Sequence, residues 1–198
     1  KQIIDKPYGF ITLIMNRPID KFKFNFINKT EDAGNYIYRL WPGKDTVQFW
    51  FEDYEEEFIL EIFDGYFFTD SIDVKIIPVF KVDNMPDFSI KNNVNGKIDP
   101  GSSLVLSFLN PLDVWNPSVI KLREDSVEVP IIPYLADSTK LSVKIDYPWK
   151  EKSKYQVIVG LGAFTDVYGL INNVYEINFG AQEESYYGSI NLNLIVNE

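Results

Sequence analysis

The side chains that most often carry out chemistry in proteins are missing here, because the 198-residue sequence contains no histidine and no cysteine. A Ser-His-Asp triad, a thiol nucleophile and a zinc site built from histidine or cysteine are therefore excluded within this chain. Carboxylate and hydroxyl chemistry remains, of the kind that paired carboxylates perform in glycoside hydrolysis. We expect the chain to be non-catalytic and to hold no cofactor.

Aspartates at predicted turns supply the candidates for a carboxylate pair. At a turn, an aspartate commonly accepts hydrogen bonds from its own backbone. Since distance along the sequence does not show which carboxylates meet in the fold, a local structural role is favoured over a general acid and base. The candidates are Asp64, Asp70, Asp99, Asp113 and Asp166.

A run of acidic residues over positions 52–57 is the densest cluster of charge. Clustered carboxylates suit Ca²⁺, and Glu52, Asp53 and Glu55 are weak candidates for such a site. The run lacks the Asp-x-Asp-x-Asp-Gly spacing of a calcium-binding loop. A solvated loop between two strands is the favoured interpretation, and no metal site is predicted.

Aromatic side chains offer a binding site of a different kind. Trp50 stands between two phenylalanines in a strand-like segment, so its ring and theirs point to opposite faces of a sheet. An exposed Trp50 would be a platform on which a sugar ring stacks, with Trp41, Tyr54 and Tyr66 as its neighbours. The alternative is that this face of the strand packs against a neighbouring domain or against a segment missing from this chain, since burial is the commoner fate of tryptophan.

Charge and hydropathy limit the partners. The formal charge of −10 repels phosphate backbones, so no nucleic-acid partner is expected. A hydrophobic content of 45% is too high for a disordered chain. No apolar run reaches the roughly 18 residues of a membrane-spanning helix, so no transmembrane segment is predicted.

Apolar and polar residues alternate along many short segments, with turn residues between them. This period of two is typical of strands that bury one face. The pattern predicts an all-β chain. It is clearest in residues 22–26, 72–76, 104–108 and 141–145.

The two halves of the chain carry similar blocks in the same order, which predicts a duplicated domain. The boundary is expected near residues 81–86, giving domains of residues 1–82 and 83–198. Residues 186–198 are predicted to be the last strand of the second domain, or else the start of a further module. The matched blocks are 10–20 with 104–113, 45–49 with 138–142, and 58–70 with 155–166.

Three motifs of the second half, at residues 110–113, 139–143 and 155–169, carry a family resemblance. They are the corner Asn-Pro-Leu-Asp, a Thr-x-Leu-x-Val strand and a late strand that ends in Gly-Ala-Phe-Thr-Asp-Val-Tyr-Gly. This half resembles the bacterial immunoglobulin-like domains that occur in tandem in envelope proteins. The whole chain resembles long immunoglobulin-like proteins, often predicted lipoproteins, of Bacteroidetes-type bacteria. The resemblance implies two tandem immunoglobulin-like β-sandwich domains and no catalytic residues.

Together these features predict a non-catalytic structural or interaction module of a bacterial cell-envelope protein. Its expected partners are other domains of the same polypeptide or other envelope proteins. The alternative is a carbohydrate-binding accessory domain of a glycan-handling surface protein. The expected location is extracytoplasmic, in the periplasm or at the cell surface, with a lipid anchor supplied by an upstream segment outside this chain.

Overall fold

A computed structural model describes residues 2–6, 10–29, 36–51, 56–76 and 87–188. Within these ranges the chain forms β-strands, turns and two single-turn 3₁₀ helices, and it forms no α-helix. The all-β fold class predicted from the alternating pattern is therefore confirmed. None of the helices in these ranges is long and apolar enough to cross a membrane.

The described residues up to position 76 form seven strands, which build the first β-sandwich. They are β1 (Gln2–Lys6), β2 (Phe10–Ile14), β3 (Phe22–Ile27), β4 (Tyr36–Leu40), β5 (Thr46–Phe51), β6 (Glu56–Asp64) and β7 (Phe67–Ile76). One sheet has the order β1-β2-β5-β4 and the other has the order β3-β6-β7. All neighbouring strands are antiparallel.

Aromatic rings from both sheets fill the core of this sandwich. The phenylalanines of β3 point inward, while Lys23 and Asn25 between them are exposed. The Phe24 ring meets the Phe49 ring of β5 edge-on, at 5.1 Å between centroids. Edge-on pairs at this spacing add to the stability that burial alone provides. The alternation in β3 therefore selects which face becomes the core.

Residues 87–188 form eleven strands. They are β8 (Ile90–Asn92), β9 (Lys97–Ile98), β10 (Leu104–Phe108), β11 (Leu112–Trp115), β12 (Ile120–Glu124), β13 (Val127–Val129), β14 (Tyr134–Leu135), β15 (Ser142–Ile145), β16 (Lys154–Val159), β17 (Phe164–Asp166) and β18 (Tyr175–Ala181). The sheets have the orders β14-β15-β10-β8 and β13-β12-β16-β18-β9, and β11 and β17 form a separate ribbon. The pairing of β9 with β18 is parallel.

Both sandwiches have immunoglobulin-like topology, in which strands A, B, E and D form one sheet and C, F and G the other. In the first sandwich the order β1-β2-β5-β4 is A-B-E-D and β3-β6-β7 is C-F-G. In the second, β8-β10-β15-β14 is A-B-E-D and β12-β16-β18 is C-F-G. Each sandwich has its own buried apolar cluster. The predicted pair of immunoglobulin-like sandwiches is thus present.

A buried tyrosine at the start of strand F strengthens this assignment for the second sandwich. Tyr155 is 2% exposed. Its hydroxyl accepts a hydrogen bond from the backbone N–H of Lys150, five residues upstream, at 2.6 Å. This contact has the form of the tyrosine corner of immunoglobulin-like domains, which fixes the connection between strands E and F.

One predicted repeat block occupies the same place in both sandwiches. Ile19 and Leu112, the aliphatic residues of the two Pro-aliphatic-Asp corners, are both buried. The N–H of Ile19 donates to the carbonyl of Lys44 at 2.8 Å, and that of Leu112 donates to the carbonyl of Lys140 at 3.0 Å. Each corner therefore attaches the B–C connection to the turn between strands D and E.

The register predicted for the second block is wrong by three residues. Strand E begins at Thr46 in the first sandwich and at Ser142 in the second, whereas the sequence match paired Thr46 with Thr139. Because a hydroxyl residue followed by alternating apolar residues occurs at both places, the pattern alone did not fix the register.

The match predicted between Asp70 and Asp166 is also wrong. Asp70 lies within β7, the last described strand of its sandwich, while Asp166 ends β17, which lies between strands F and G. The first sandwich joins β6 to β7 by the two-residue turn Gly65–Tyr66, and the second inserts residues 160–174. Common ancestry of the two halves stays a prediction.

Two further predictions fall at the edges of the described ranges. The boundary between residues 82 and 83 lies outside them. The last described strand of the second sandwich is β18, and Tyr187 and Gly188 follow it outside any strand. Residues 189–198, which include most of the segment predicted as a last strand or a new module, lie outside the described residues.

Candidate functional site

Trp50 does not form the exposed platform suggested by its position between two phenylalanines. Its side chain is 2% exposed. Phe49 and Phe51 point into the core of the first sandwich, whereas Trp50 belongs to a different apolar cluster. A buried indole offers no open face to a sugar ring, so the prediction of a stacking platform at Trp50 is wrong.

The cluster around Trp50 joins the two sandwiches. Its other buried members are Leu141 and Tyr168 of the second sandwich, at 4% and 7% exposure. Ile37 and Val167 pack against them. Trp50 lies near the end of β5 and Ile37 near the start of β4, which places both at the end of the first sandwich that faces the second. The alternative prediction, that this face packs against a neighbouring domain, is confirmed.

The turn that follows β17 contributes Tyr168 and Val167 to this junction. Asp166 to Gly169 form a tight turn, with the N–H of Gly169 donating to the carbonyl of Asp166 at 2.9 Å. Gly169 has a φ of +79°, a conformation that glycine adopts without strain. The sequence indicated this turn, but nothing in the pattern showed that Tyr168 within it would contact Trp50.

Asp166 anchors the turn from inside the protein. Its side chain is 3% exposed, and it accepts hydrogen bonds from the backbone N–H groups of Tyr168 at 2.9 Å and Leu170 at 3.0 Å. The side-chain amide of Asn110 donates to its second oxygen at 2.7 Å. Burial raises the pKa of this carboxyl, and the three hydrogen bonds oppose the rise. The arrangement is that of a structural anchor.

Three of the other four acid–base candidates accept hydrogen bonds from neighbouring groups of the fold. Asp64 accepts a hydrogen bond from the backbone N–H of Lys21 at 3.0 Å. Asp70 accepts one from the N–H of Ser71 at 2.8 Å, and Asp99 accepts one from the hydroxyl of Tyr187. Asp113 is exposed on β11.

The acidic run contributes no described site. Glu52, Asp53 and Glu55 lie outside the described residues, so the calcium prediction stays untested there. Tyr54, a predicted neighbour of the stacking platform, lies outside them as well. Among the described residues, no group of three or more Asp or Glu side chains is placed to hold a metal ion.

Trp41 is exposed but already engaged. Its indole N–H donates to the side-chain oxygen of Gln48 at 3.0 Å, and the guanidinium of Arg39 lies 4.7 Å from the ring centroid. A cation at this distance binds the face of the ring. A sugar would have to displace Arg39 to stack on that face.

Tyr66 is 93% exposed and lies in the turn between β6 and β7. Phe67 and Phe68 follow it at 80% and 58% exposure. The ammonium of Lys23 lies 4.4 Å from the centroid of the Tyr66 ring. These three consecutive aromatic residues, here called the aromatic tip, form an exposed patch of the kind that marks an interaction site. The sequence singled out Tyr66 alone and missed its two neighbours.

No protein-family model matches this chain, and no curated protein matches it. Solved structures do match, at low identity. Domains 5-6 of the S-layer protein SbsC are 12% identical, with a TM-score of 0.35 and an alignment that covers 92% of this chain and 98% of that chain. The Yersinia pseudotuberculosis adhesin InvE is 14% identical, with a TM-score of 0.27 and coverage of 87% and 55%.

A third match is SGBP-B of the Bacteroides ovatus mixed-linkage glucan utilization locus, solved with a mixed-linkage heptasaccharide. It is 12% identical with a TM-score of 0.21, and the alignment covers 81% of this chain and 35% of that chain. These matches include surface proteins of bacteria. At such identities and TM-scores they carry no argument about the role of this chain.

Proposed function

We propose that the chain is a non-catalytic structural module of a bacterial cell-envelope protein, in which two immunoglobulin-like sandwiches are held end to end. The support comes from the resemblance of its motifs to tandem envelope domains and from the absence of histidine and cysteine. The proposed location is extracytoplasmic. The lipid anchor expected from the resemblance lies outside this chain and stays a prediction.

The junction around Trp50 is the observation that carries this proposal. An aromatic side chain of this size dominates the energetics of an interface when it is buried. Here Trp50 of one sandwich is buried beside Leu141 and Tyr168 of the other. A flexible linker alone would leave these side chains exposed, so the packing favours a fixed relative orientation of the sandwiches.

The carbohydrate-binding alternative loses its central residue through the same contact. Trp50 is buried, and Trp41 is covered on one face by Arg39. No described observation favours a sugar site over a structural role.

Residual dipolar couplings measured on the whole chain test the orientation directly. We expect one alignment tensor to fit the amide couplings of both sandwiches in the wild type. In Leu141→Asp, which places a charge against the buried indole, each sandwich should need its own tensor. Trp41→Ala is the matched control, since it removes an exposed tryptophan remote from the junction, and it should keep the single tensor.

Two outcomes would oppose the proposal. Independent tensors in the wild type would mean that the sandwiches reorient freely and that the chain is a flexible tether. A single tensor in Leu141→Asp would mean that contacts other than the Trp50 cluster fix the orientation. Protease accessibility of the full-length protein on intact cells tests the proposed extracytoplasmic location separately.

A further inference from the structure

The aromatic tip, Tyr66 to Phe68, lies at the end of the first sandwich that faces away from the junction. The N–H of Gly65 donates to the carbonyl of Lys21 at 2.7 Å, which fixes the turn against the B–C connection. In an antiparallel sandwich of this topology, the B–C, D–E and F–G connections share one end. The junction uses the opposite end of the first sandwich, so the tip and Trp50 lie at opposite ends of it.

Two lysines accompany the tip. The ammonium of Lys23 lies over the Tyr66 ring, at 4.4 Å from its centroid. The stem of Lys21 lies beside Gly65, where a Cβ atom would come within 3.8 Å of it. Asp64 and Asp70 flank the tip, each two residues away. One oxygen of Asp64 accepts from the backbone N–H of Lys21, and one of Asp70 accepts from that of Ser71. The surface around the tip is therefore aromatic, with two lysines and two hydrogen-bonded aspartates beside it.

The far end of the second sandwich carries a cleft of about 550 Å³ with an apolar and acidic lining, which would accept an aromatic ring and a lysine ammonium. Its apolar lining includes Pro100, the buried Trp149 and Tyr187. Gly101 and three carboxylates complete the lining, and no lysine or arginine is among the described residues that line it. The acidic lining residues are Asp99, Glu151 and Glu184.

The cleft lies at the end of the second sandwich that corresponds to the Trp50 end of the first. It is formed by the A–B and E–F connections of its sandwich, with the 3₁₀ turn Glu184–Tyr186 beside them. At the junction, this end of the first sandwich packs on the D–E and F–G connections of the second. A contact between the cleft and the tip of another molecule would therefore repeat the end-to-end arrangement already present within the chain.

We propose that the aromatic tip of one molecule docks in the Trp149 cleft of a second copy of this chain. The contact joins different surfaces at opposite ends, so it is heterologous and leaves each added molecule with a free tip and a free cleft. Repetition gives a linear assembly. This inference deepens the proposed structural role by naming its partner, and it rests on that role.

Sedimentation velocity of the whole chain, from micromolar to millimolar concentration, tests the proposal. The net charge of −10 makes copies repel, so the measurement belongs at physiological ionic strength, where the screening length is about 8 Å. We expect the average mass of the wild type to rise continuously with concentration. Phe67→Ser, which removes the central ring of the tip, and Glu184→Lys, which reverses a charge in the cleft, should each abolish the rise.

Mixing the two variants gives the sharper result. Phe67→Ser keeps an intact cleft and Glu184→Lys keeps an intact tip, so an equimolar mixture should form a dimer and stop there. Ile132→Ser is the matched control, since Ile132 is 86% exposed but belongs to neither surface. It should associate like the wild type. Circular dichroism of each variant shows that it is folded.

Three results would overturn the proposal. One is a wild type that stays monomeric at millimolar concentration, and another is a mixture that forms no dimer. The third is binding to vesicles of phosphatidylcholine and phosphatidylglycerol by a wild type that does not self-associate. If the wild type sediments with such vesicles and Phe67→Ser does not, the tip binds a membrane. Because dipolar couplings report on the junction and sedimentation on association, failure of this inference is distinguishable from failure of the proposed role.

Discussion

Asp166 shows how a residue that suggested chemistry serves structure instead. An aspartate before a glycine-containing turn is a recognisable sequence feature, and the prediction of a turn at 166–169 is confirmed by the hydrogen bond and by the positive φ of Gly169. Its burial was not predictable, because the covering residues come from the distant 110–111 corner and from the turn itself.

The buried carboxyl of Asp166 gives a pH prediction. Because burial raises its pKa above the ordinary value of 3.8, the folded chain holds this proton more tightly than the unfolded chain does. The resulting stability is fully present below pH 3.8 and is lost as the pH rises through the raised pKa. The free energy of unfolding of the wild type, minus that of Asp166→Asn, should therefore fall as the pH rises through that window, as measured by urea unfolding at a series of pH values.

Asp146 provides a control of opposite sign. Hydrogen bonds from Ser103 and then Tyr134 lower the pKa of this exposed carboxyl. Its contribution is present above the unfolded pKa and is lost as the pH falls through the lowered one, so the corresponding difference for Asp146→Asn should rise with pH. A difference for Asp166→Asn that also rises would show that its three N–H donors outweigh its burial.

At the scale of elements, the strands that the alternating pattern predicted are present. Residues 22–26, 72–76 and 104–108 lie in strands that bury alternate side chains, and 141–145 does so from Ser142 onward, since Leu141 precedes β15. The connections were less predictable. The F–G connection is a two-residue turn in one sandwich and residues 160–174 in the other. This difference could not be predicted, because an inserted ribbon leaves the periodicity of the flanking strands unchanged.

The D–E turns give a matched pair of predictions. Lys44 has a φ of +56° and Lys140 a φ of +55°, and each accepts the corner hydrogen bond of its sandwich. A left-handed conformation strains residues with a Cβ atom by roughly 1–2 kcal/mol, and glycine relieves that strain at some cost in entropy. Lys44→Gly and Lys140→Gly should each raise the free energy of unfolding by up to about 1 kcal/mol in urea titrations.

Lys121→Gly is the control for this pair. Lys121 lies within β12, where glycine weakens a strand by roughly 0.5–1 kcal/mol. It should therefore lower the free energy of unfolding. Destabilisation by all three substitutions would show that the turn lysines contribute more through their side chains than they lose through their backbone conformation.

At the scale of the whole molecule, the sequence indicated two sandwiches but not how they meet. Trp50 was recognisable as an aromatic residue on the outer face of its strand, with stacking and domain packing as open alternatives. Its partners Leu141 and Tyr168 are about 90 and 120 residues away along the sequence, and a single sequence gives no information on such distant contacts. The aromatic tip was missed for another reason: three consecutive aromatic residues in a sequence look like part of a buried strand, although here they are exposed.

The junction predicts unequal effects for two tryptophans. Trp50→Ala should lower the free energy of unfolding by about 3–5 kcal/mol, since it removes a large buried side chain. Trp41→Ala should lower it by less than about 1 kcal/mol, since the residue is 41% exposed and loses one hydrogen bond and one cation contact. Urea unfolding followed by circular dichroism measures both, and equal losses would contradict the placement of Trp50.

The parallel pairing of β9 with β18 has a mechanical consequence. Gly180 donates to the carbonyl of Gly96 at 3.0 Å, and Gln182 donates to that of Ile98 at 2.8 Å, so these bonds tie the entry of the second sandwich to its exit. Tension applied at residues 87 and 188 would slide the two parallel strands past each other and load both bonds at once. A chain that bears force in this way resists extension until the clamp yields as a unit, whereas strands peeled apart from one end separate one bond at a time.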